Sequence, residues 1–242
     1  LNHSNMDPDK QLLLAASSGD IHAVLSLLSG ADVNAIADST TALEAAALEG
    51  HKGVVQILLA AGAHVAAADA NGWNSLHNAV YSGHLEVVRM LLDHRADANA
   101  LTSDHRTPLH LVADADPKVD FKLTVEGPSG RTSFFAPALV QYLCAAGASV
   151  NFPSADGSTP LHAAASVSAG STVLALCSNG ADCNATDSDG RTPLQVVGKV
   201  VRPKGPTAAE TLDRLREMLR GGRSSASTAH ADSHAGSSSG AA

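Results

Sequence analysis

Histidine is the side chain best suited to metal binding and to proton transfer near neutral pH, and this chain carries 12 of them. His77, His110 and His162 each close a recurring four-residue phrase. His51 and His84 each follow a glycine, and His230 and His234 lie near the end. A metal ion needs its ligands within about 2 Å of one point. The three phrase histidines are 33 and 52 residues apart, so they serve one ion only if the fold folds back on itself. Asp182, Asp187 and Asp189 form a local acidic cluster, but their spacing is not that of a calcium loop. They read as carboxylates that cap a loop. The cysteines number 3, Cys144, Cys177 and Cys183, an odd count without paired spacing. They read as free, mostly buried thiols in a reducing compartment. There is no G-x-S-x-G, no H-E-x-x-H, no phosphate-binding loop and no kinase signature. The expectation is a chain with no catalytic residue, no metal site and no cofactor, hence not an enzyme.

What positions these residues is a repeat. The phrase reads Thr41-Ala42-Leu43-Glu44, Asn74-Ser75-Leu76-His77, Thr107-Pro108-Leu109-His110, Thr159-Pro160-Leu161-His162 and Thr192-Pro193-Leu194-Gln195. The steps are 33, 33, 52 and 33 residues, the long one being a period plus 19. Each phrase histidine then belongs to a different layer, too far from the next to share an ion. A 33-residue period headed by T-P-L-H is the signature of one architecture. The stretch Asp69–Asn99 shows it best, with Gly72, Leu76-His77, Ala79, Gly83-His84, Val87-Val88, Leu91-Leu92, Ala96-Asp97 and Asn99.

On these residues the chain resembles the ankyrin-repeat family over roughly residues 8 to 220. The resemblance implies an all-α solenoid of about six helix-turn-helix units joined by hairpin loops. It also implies that the phrase histidines bond backbone groups and tie adjacent loops together. The expected organisation is a flexible segment 1–6, then repeats at about 7–37, 38–70, 71–103, 104–155, 156–188 and 189–220, the fourth carrying an insertion at 114–136. The tail 221–242 is Ser, Ala, Gly and His without a large apolar residue. It cannot offset its ordering entropy and is expected to be disordered. Aromatic residues make up only 3% of the chain against 44% apolar. That suits thin layers filled by Leu, Val and Ala of the adjacent unit.

The positions that the family pattern leaves open are where a partner is expected. They flank the hairpin glycine or precede the Gly-His turn. Here they include Asn71, Trp73 and Tyr81 in unit three, Asp104 and Arg106 in unit four, and Arg191 in unit six. Trp73, the only Trp, is expected to project from its loop with nothing to bury it, near Tyr81 and Arg106. Trp, Tyr and Arg are the commonest interface hot spots, so these three are expected at the centre of a protein-binding surface. The insertion adds Phe121, Phe134 and Phe135 around Gly127-Pro128-Ser129-Gly130. It serves either binding or packing over the stack. The resemblance further implies that Asn99, Asn151 and Asn184, each with Leu eight residues earlier, are candidates for hydroxylation by an oxygen-dependent enzyme.

The net charge of −8 argues against nucleic acid as partner, which calls for a basic stripe. No window approaches the ~18 apolar residues of a membrane span, and Leu1–Lys10 is polar. The expectation is an intracellular protein, cytoplasmic or nuclear, monomeric by itself. It would bind another protein as scaffold, adaptor or inhibitor. The alternative is a regulatory or targeting subunit that docks an enzyme or its substrate.

Overall fold

The computed structural model describes residues 7–114, 135–167, 169–197, 216, 217 and 219. Helices α1 (Pro8–Ser18) and α2 (Ile21–Leu27) form the first pair. They are followed by α3 (Ala42–Glu49) with α4 (Lys52–Ala60), and α5 (Ser75–Tyr81) with α6 (Leu85–Asp93). Then come α7 (Pro108–Asp114) with α8 (Phe135–Ala145), α9 (Pro160–Ser166) with α10 (Gly170–Ser178), and α11 (Pro193–Val196). The first helices α1, α3, α5, α7, α9 and α11 pack each on the next, and the second helices α2, α4, α6, α8 and α10 do the same. Among the described residues there is no strand, only isolated bridges at Ala37–Thr40 and Ala68–Asn74. None of their helices is long and apolar enough to cross a membrane.

The core repeats with the chain. Leu43, Leu76, Leu109 and Leu161 occupy one register of the first helices and are 0–1% exposed. Val55, Val88, Val140 and Val173, at 0%, do the same on the second helices, and Leu58, Leu91, Leu143 and Leu176 form a third row at 0%. Each buried Leu or Val contributes about 1.5–3 kcal/mol, but only when a neighbouring unit supplies the other wall. Small residues, Ala46, Ala79 and Ala164, let the first helices approach closely.

Side chains that bond across units hold the layers in register. Asn34 Oδ1 accepts from His64 N (2.7 Å), Asn99 Oδ1 from Ser149 N (2.6 Å), and Asn151 Oδ1 from Asp182 N (2.8 Å). Their amides donate to the carbonyls of Gly62, Gly147 and Gly180. On the other side His51 Nε2 bonds Ser17 O (2.9 Å) and His84 Nε2 bonds Leu48 O (3.1 Å). The ring of His84 lies against Gly50, whose φ of +75° and missing side chain both belong there, because a Cβ would run into the ring. The joint between units two and three is sparer. Glu44 stands where units three, four and five have histidine, and Ala66 where units one, three, four and five have asparagine. Glu44 is 2% exposed and bonds only within its own loop, its carboxylate accepting from Thr40 Oγ1 (2.9 Å), and burial pushes its pKa up.

The expected insertion at 114–136 lies largely outside the described residues: 115–134, with Phe121 and Phe134, are not among them. Phe135 opens α8. Also outside are the 1–6 segment, the 221–242 tail and most of the last expected helix, of which Leu219 is described and buried.

Candidate functional site

The site is built on the cap of each first helix. In unit four His110 Nδ1 accepts from Thr107 N (3.1 Å) and from the Thr107 hydroxyl (2.9 Å), while Nε2 reaches Ser158 O (2.9 Å) in the next loop. A backbone N–H can only donate and a carbonyl can only accept, so the ring is neutral with its proton on Nε2. His162 repeats this with Thr159 and Arg191 O (2.8 Å), and His77 with Asn74 N and Ala100 O (3.1 Å). Both nitrogens of each ring are therefore committed to positioning loops. Burial lowers the pKa of His77 and takes that of His110 down to about 4.

The loops so held are joined edge to edge. Ser103 N donates to Asn71 O (2.8 Å), Ala155 N to Asp104 O (3.0 Å), and Ser188 N to Asp156 O (3.0 Å). The second of these spans the insertion, so the loop row runs on unbroken where the sequence is interrupted. Each loop turns through one residue at positive φ. That residue is Gly72, Gly157 or Gly190 in three loops, but His105, at +56°, in unit four. Carboxylates and hydroxyls fasten each loop internally. Asp69 Oδ1 accepts from Asn71 N and Trp73 N, and Thr102 Oγ1 from Arg106 N. Asp187 Oδ1 accepts from Asp189 N and Arg191 N, as befits a loop-capping carboxylate.

Between this loop row and the first helices lies an open groove of about 570 Å³ spanning units four to six. Arg106 and Arg191 stand in it with Asp104, Asp156, Ser158 and Ser166. The Arg191 guanidinium bonds Asp187 and Asp189, both at 2.8 Å. Arg106 is half-buried, bends back toward His110 O (3.4 Å), and has its pKa lowered by burial. The Ser154 and Ser158 hydroxyls hold the Asp156 carboxyl below its ordinary value.

The groove is lined by units four to six, and unit three carries residues at the equivalent register positions beside it. Trp73 holds there the position of Arg106, Ser158 and Arg191, and Tyr81 that of Ser166. Trp73 does not project freely as the sequence suggests. It is half-buried, tilted 6.1 Å from His77, with Tyr81 set edge-on at 5.4 Å and 77°. The cap that places His77 supplies a floor for the indole, which the repeat pattern alone does not reveal. Tyr81 is 52% exposed, and Leu48 in the same position of unit two is 40% exposed. Asn71 and Asp104 are exposed at their loop tips. Asp156 is among the open positions the repeat offers, but its fastening by Ser154 and Ser158, like the turn role of His105, is not readable from residue type. For His105 the one signal is its alignment with Gly72.

Asn99, Asn151 and Asn184 lie on the far side of the layers, in the turns, and the first two spend their side chains on the next unit. The cysteines are free thiols as expected, Cys183 buried and Cys144 and Cys177 half-buried, and the Cys177 and Cys183 sulfurs lie 3.8 Å apart.

Stacked helix pairs, capping histidines and a loop-lined groove define a repeat solenoid built for contact with another molecule. A family model for ankyrin repeats, in three copies, matches residues 12–102, 68–121 and 133–197, and the chain belongs to the ankyrin-repeat family. Ankyrin stacks are general protein-interaction modules. The chain is 35% identical over 104 residues to an ankyrin repeat protein of fowlpox virus, covering 38% of this chain and 14% of that protein. It is 39% identical over 101 residues to mouse Rabankyrin-5, covering 41% of this chain and 8% of that one. Over 85 residues it is 35% identical to mouse protein phosphatase 1 regulatory subunit 12A, 35% of this chain and 8% of the relative. The chain therefore spans a small part of the length of these relatives.

Proposed function

We propose that this chain binds a protein partner, without chemistry of its own, through the groove between its loop row and first helices. The contact centres on Trp73, Tyr81 and Arg106, with Asn71, Asp104 and Arg191 around it. The observation that carries this is the Trp73–Tyr81 pair. An indole supported from below and an adjacent exposed tyrosine occupy the groove positions of unit three. Rigid aromatic area backed by packing is what hot spots offer. Similarity to a phosphatase regulatory subunit supports, as a second reading, a regulatory or targeting role in which the partner is an enzyme or its substrate.

The test is affinity capture from the native source with wild type, Tyr81→Ala and Trp73→Ala. Tyr81 is exposed, so its removal leaves the core intact, whereas Trp73→Ala also strips packing from His77 and is read beside a folding control. Loss of about 2 kcal/mol or more, roughly thirtyfold in affinity, is expected for either ring. Recovery of the same proteins at the same strength by all three forms removes the proposal.

A further inference from the structure

Cys177 lies in the last turn of α10, and Cys183 lies in the loop that follows. Their sulfurs are 3.8 Å apart across a separation of six residues. Cys183 is 6% exposed and belongs to the core, while Cys177 is half-buried and packs against it. The repeat makes this pairing specific to unit five. The same two positions hold Leu28 and Val33 in unit one, Leu59 and Val65 in unit two, Leu92 and Ala98 in unit three, and Cys144 and Val150 in unit four. Every other unit has at least one residue there that cannot be oxidised to a crosslink. We propose that Cys177 and Cys183 are a modification site, a thiol pair that closes to a reversible intramolecular disulfide within unit five.

A disulfide needs the sulfurs at about 2.05 Å. The approach from 3.8 Å falls within one short segment, a helix end and its loop, so no other layer has to move. The oxidant class is a small disulfide such as oxidised glutathione. Cys177, the more accessible thiol, attacks it as thiolate. A mixed disulfide forms and one glutathione thiolate leaves. Cys183, as thiolate, then attacks the Cys177 sulfur and the second glutathione thiolate leaves. Two cysteine thiols and one glutathione disulfide become one protein disulfide and two glutathione thiols, the two protons going to the departing thiolates. Burial and the neighbouring Cys183 push the Cys177 thiol up to about 12, so closure is slow at neutral pH and faster in alkali.

Trypsin leaves all three cysteines on one fragment, 132–191, so the experiment uses Cys144→Ser in the full chain. That protein is equilibrated in glutathione buffers from reducing to oxidising. The remaining thiols are blocked with N-ethylmaleimide, and the mass is read without reduction. The expected result is the joint loss of two reactive thiols in a monomer, with two hydrogens gone, reversed by dithiothreitol. The control adds Cys183→Val, which installs the residue of units one, two and four and so keeps the packing. It is expected to retain the Cys177 thiol or to stop at the glutathione adduct. Two thiols still blocked by maleimide at the oxidising end, a crosslinked dimer, or stable single adducts in the Cys183-containing protein would each overturn the proposal.

Discussion

Replacing His110 by Gln removes one titrating group and leaves its cap in place, because unit six already uses Gln195 in that role, its Oε1 accepting from Thr192 N at 2.8 Å. In the folded chain the His110 ring is 1% exposed and its Nδ1 faces two donors. Burial, first of all, lowers its pKa to about 4. Unfolded, the ring titrates near 6.5. Below that value the unfolded chain binds the proton and the folded chain does not. Stability therefore falls as pH drops from about 6.5 to about 4, and is flat in this respect below that. Between pH 7 and pH 5 the linkage amounts to about 2 kcal/mol. Urea unfolding followed by circular dichroism at both pH values, wild type against His110→Gln, reads the difference. Carboxylates and His77, whose pKa is also lowered by burial, contribute to acid sensitivity in both proteins and cancel. Wild type is expected to lose about 2 kcal/mol more than the variant over this interval. Equal losses would refute the assignment of a neutral, backbone-committed ring.

Three further substitutions test the positioning elements. His105→Gly places glycine where the chain has a φ of +56°, and a gain of about 0.5–1 kcal/mol is expected in thermal or urea unfolding. The reciprocal Gly157→Ala puts a Cβ 2.8 Å from Ser188 N, and a loss above about 1 kcal/mol is expected by the same measurement, with loosening of the loop row. Asn99→Ala strands Ser149 N and Gly147 O at the joint of units three and four. It is expected to cost about 1–2 kcal/mol in urea unfolding.

The fold was legible because it is written five times. A misread position in one unit is corrected by the same position in the next, so Leu43 and its equivalents at 76, 109 and 161 declare the core without a structure. The candidate site was legible only in part, since the proposed contacts fall at positions the repeat leaves free. Trp73 could be named from its type and place, but not its seat on His77, which depends on ring geometry. The closeness of Cys177 and Cys183 is invisible to spacing rules, because it arises from a helix end and a loop meeting in space. The bend of Arg106 toward His110 O follows from side-chain packing that no pattern encodes.

The sparer joint between units two and three has a mechanical meaning. Elsewhere Asn34, Asn99, Asn151, His110 and His162 bond the next unit, but here Ala66 and Glu44 do not, leaving apolar contact, the His84–Leu48 bond and the exposed Lys52–Glu86 ion pair. Apolar contact resists separation without fixing direction, whereas hydrogen bonds fix both. This joint is thus less constrained in direction than those on either side. Bending there would reorient the first two units while the groove of units four to six keeps its shape.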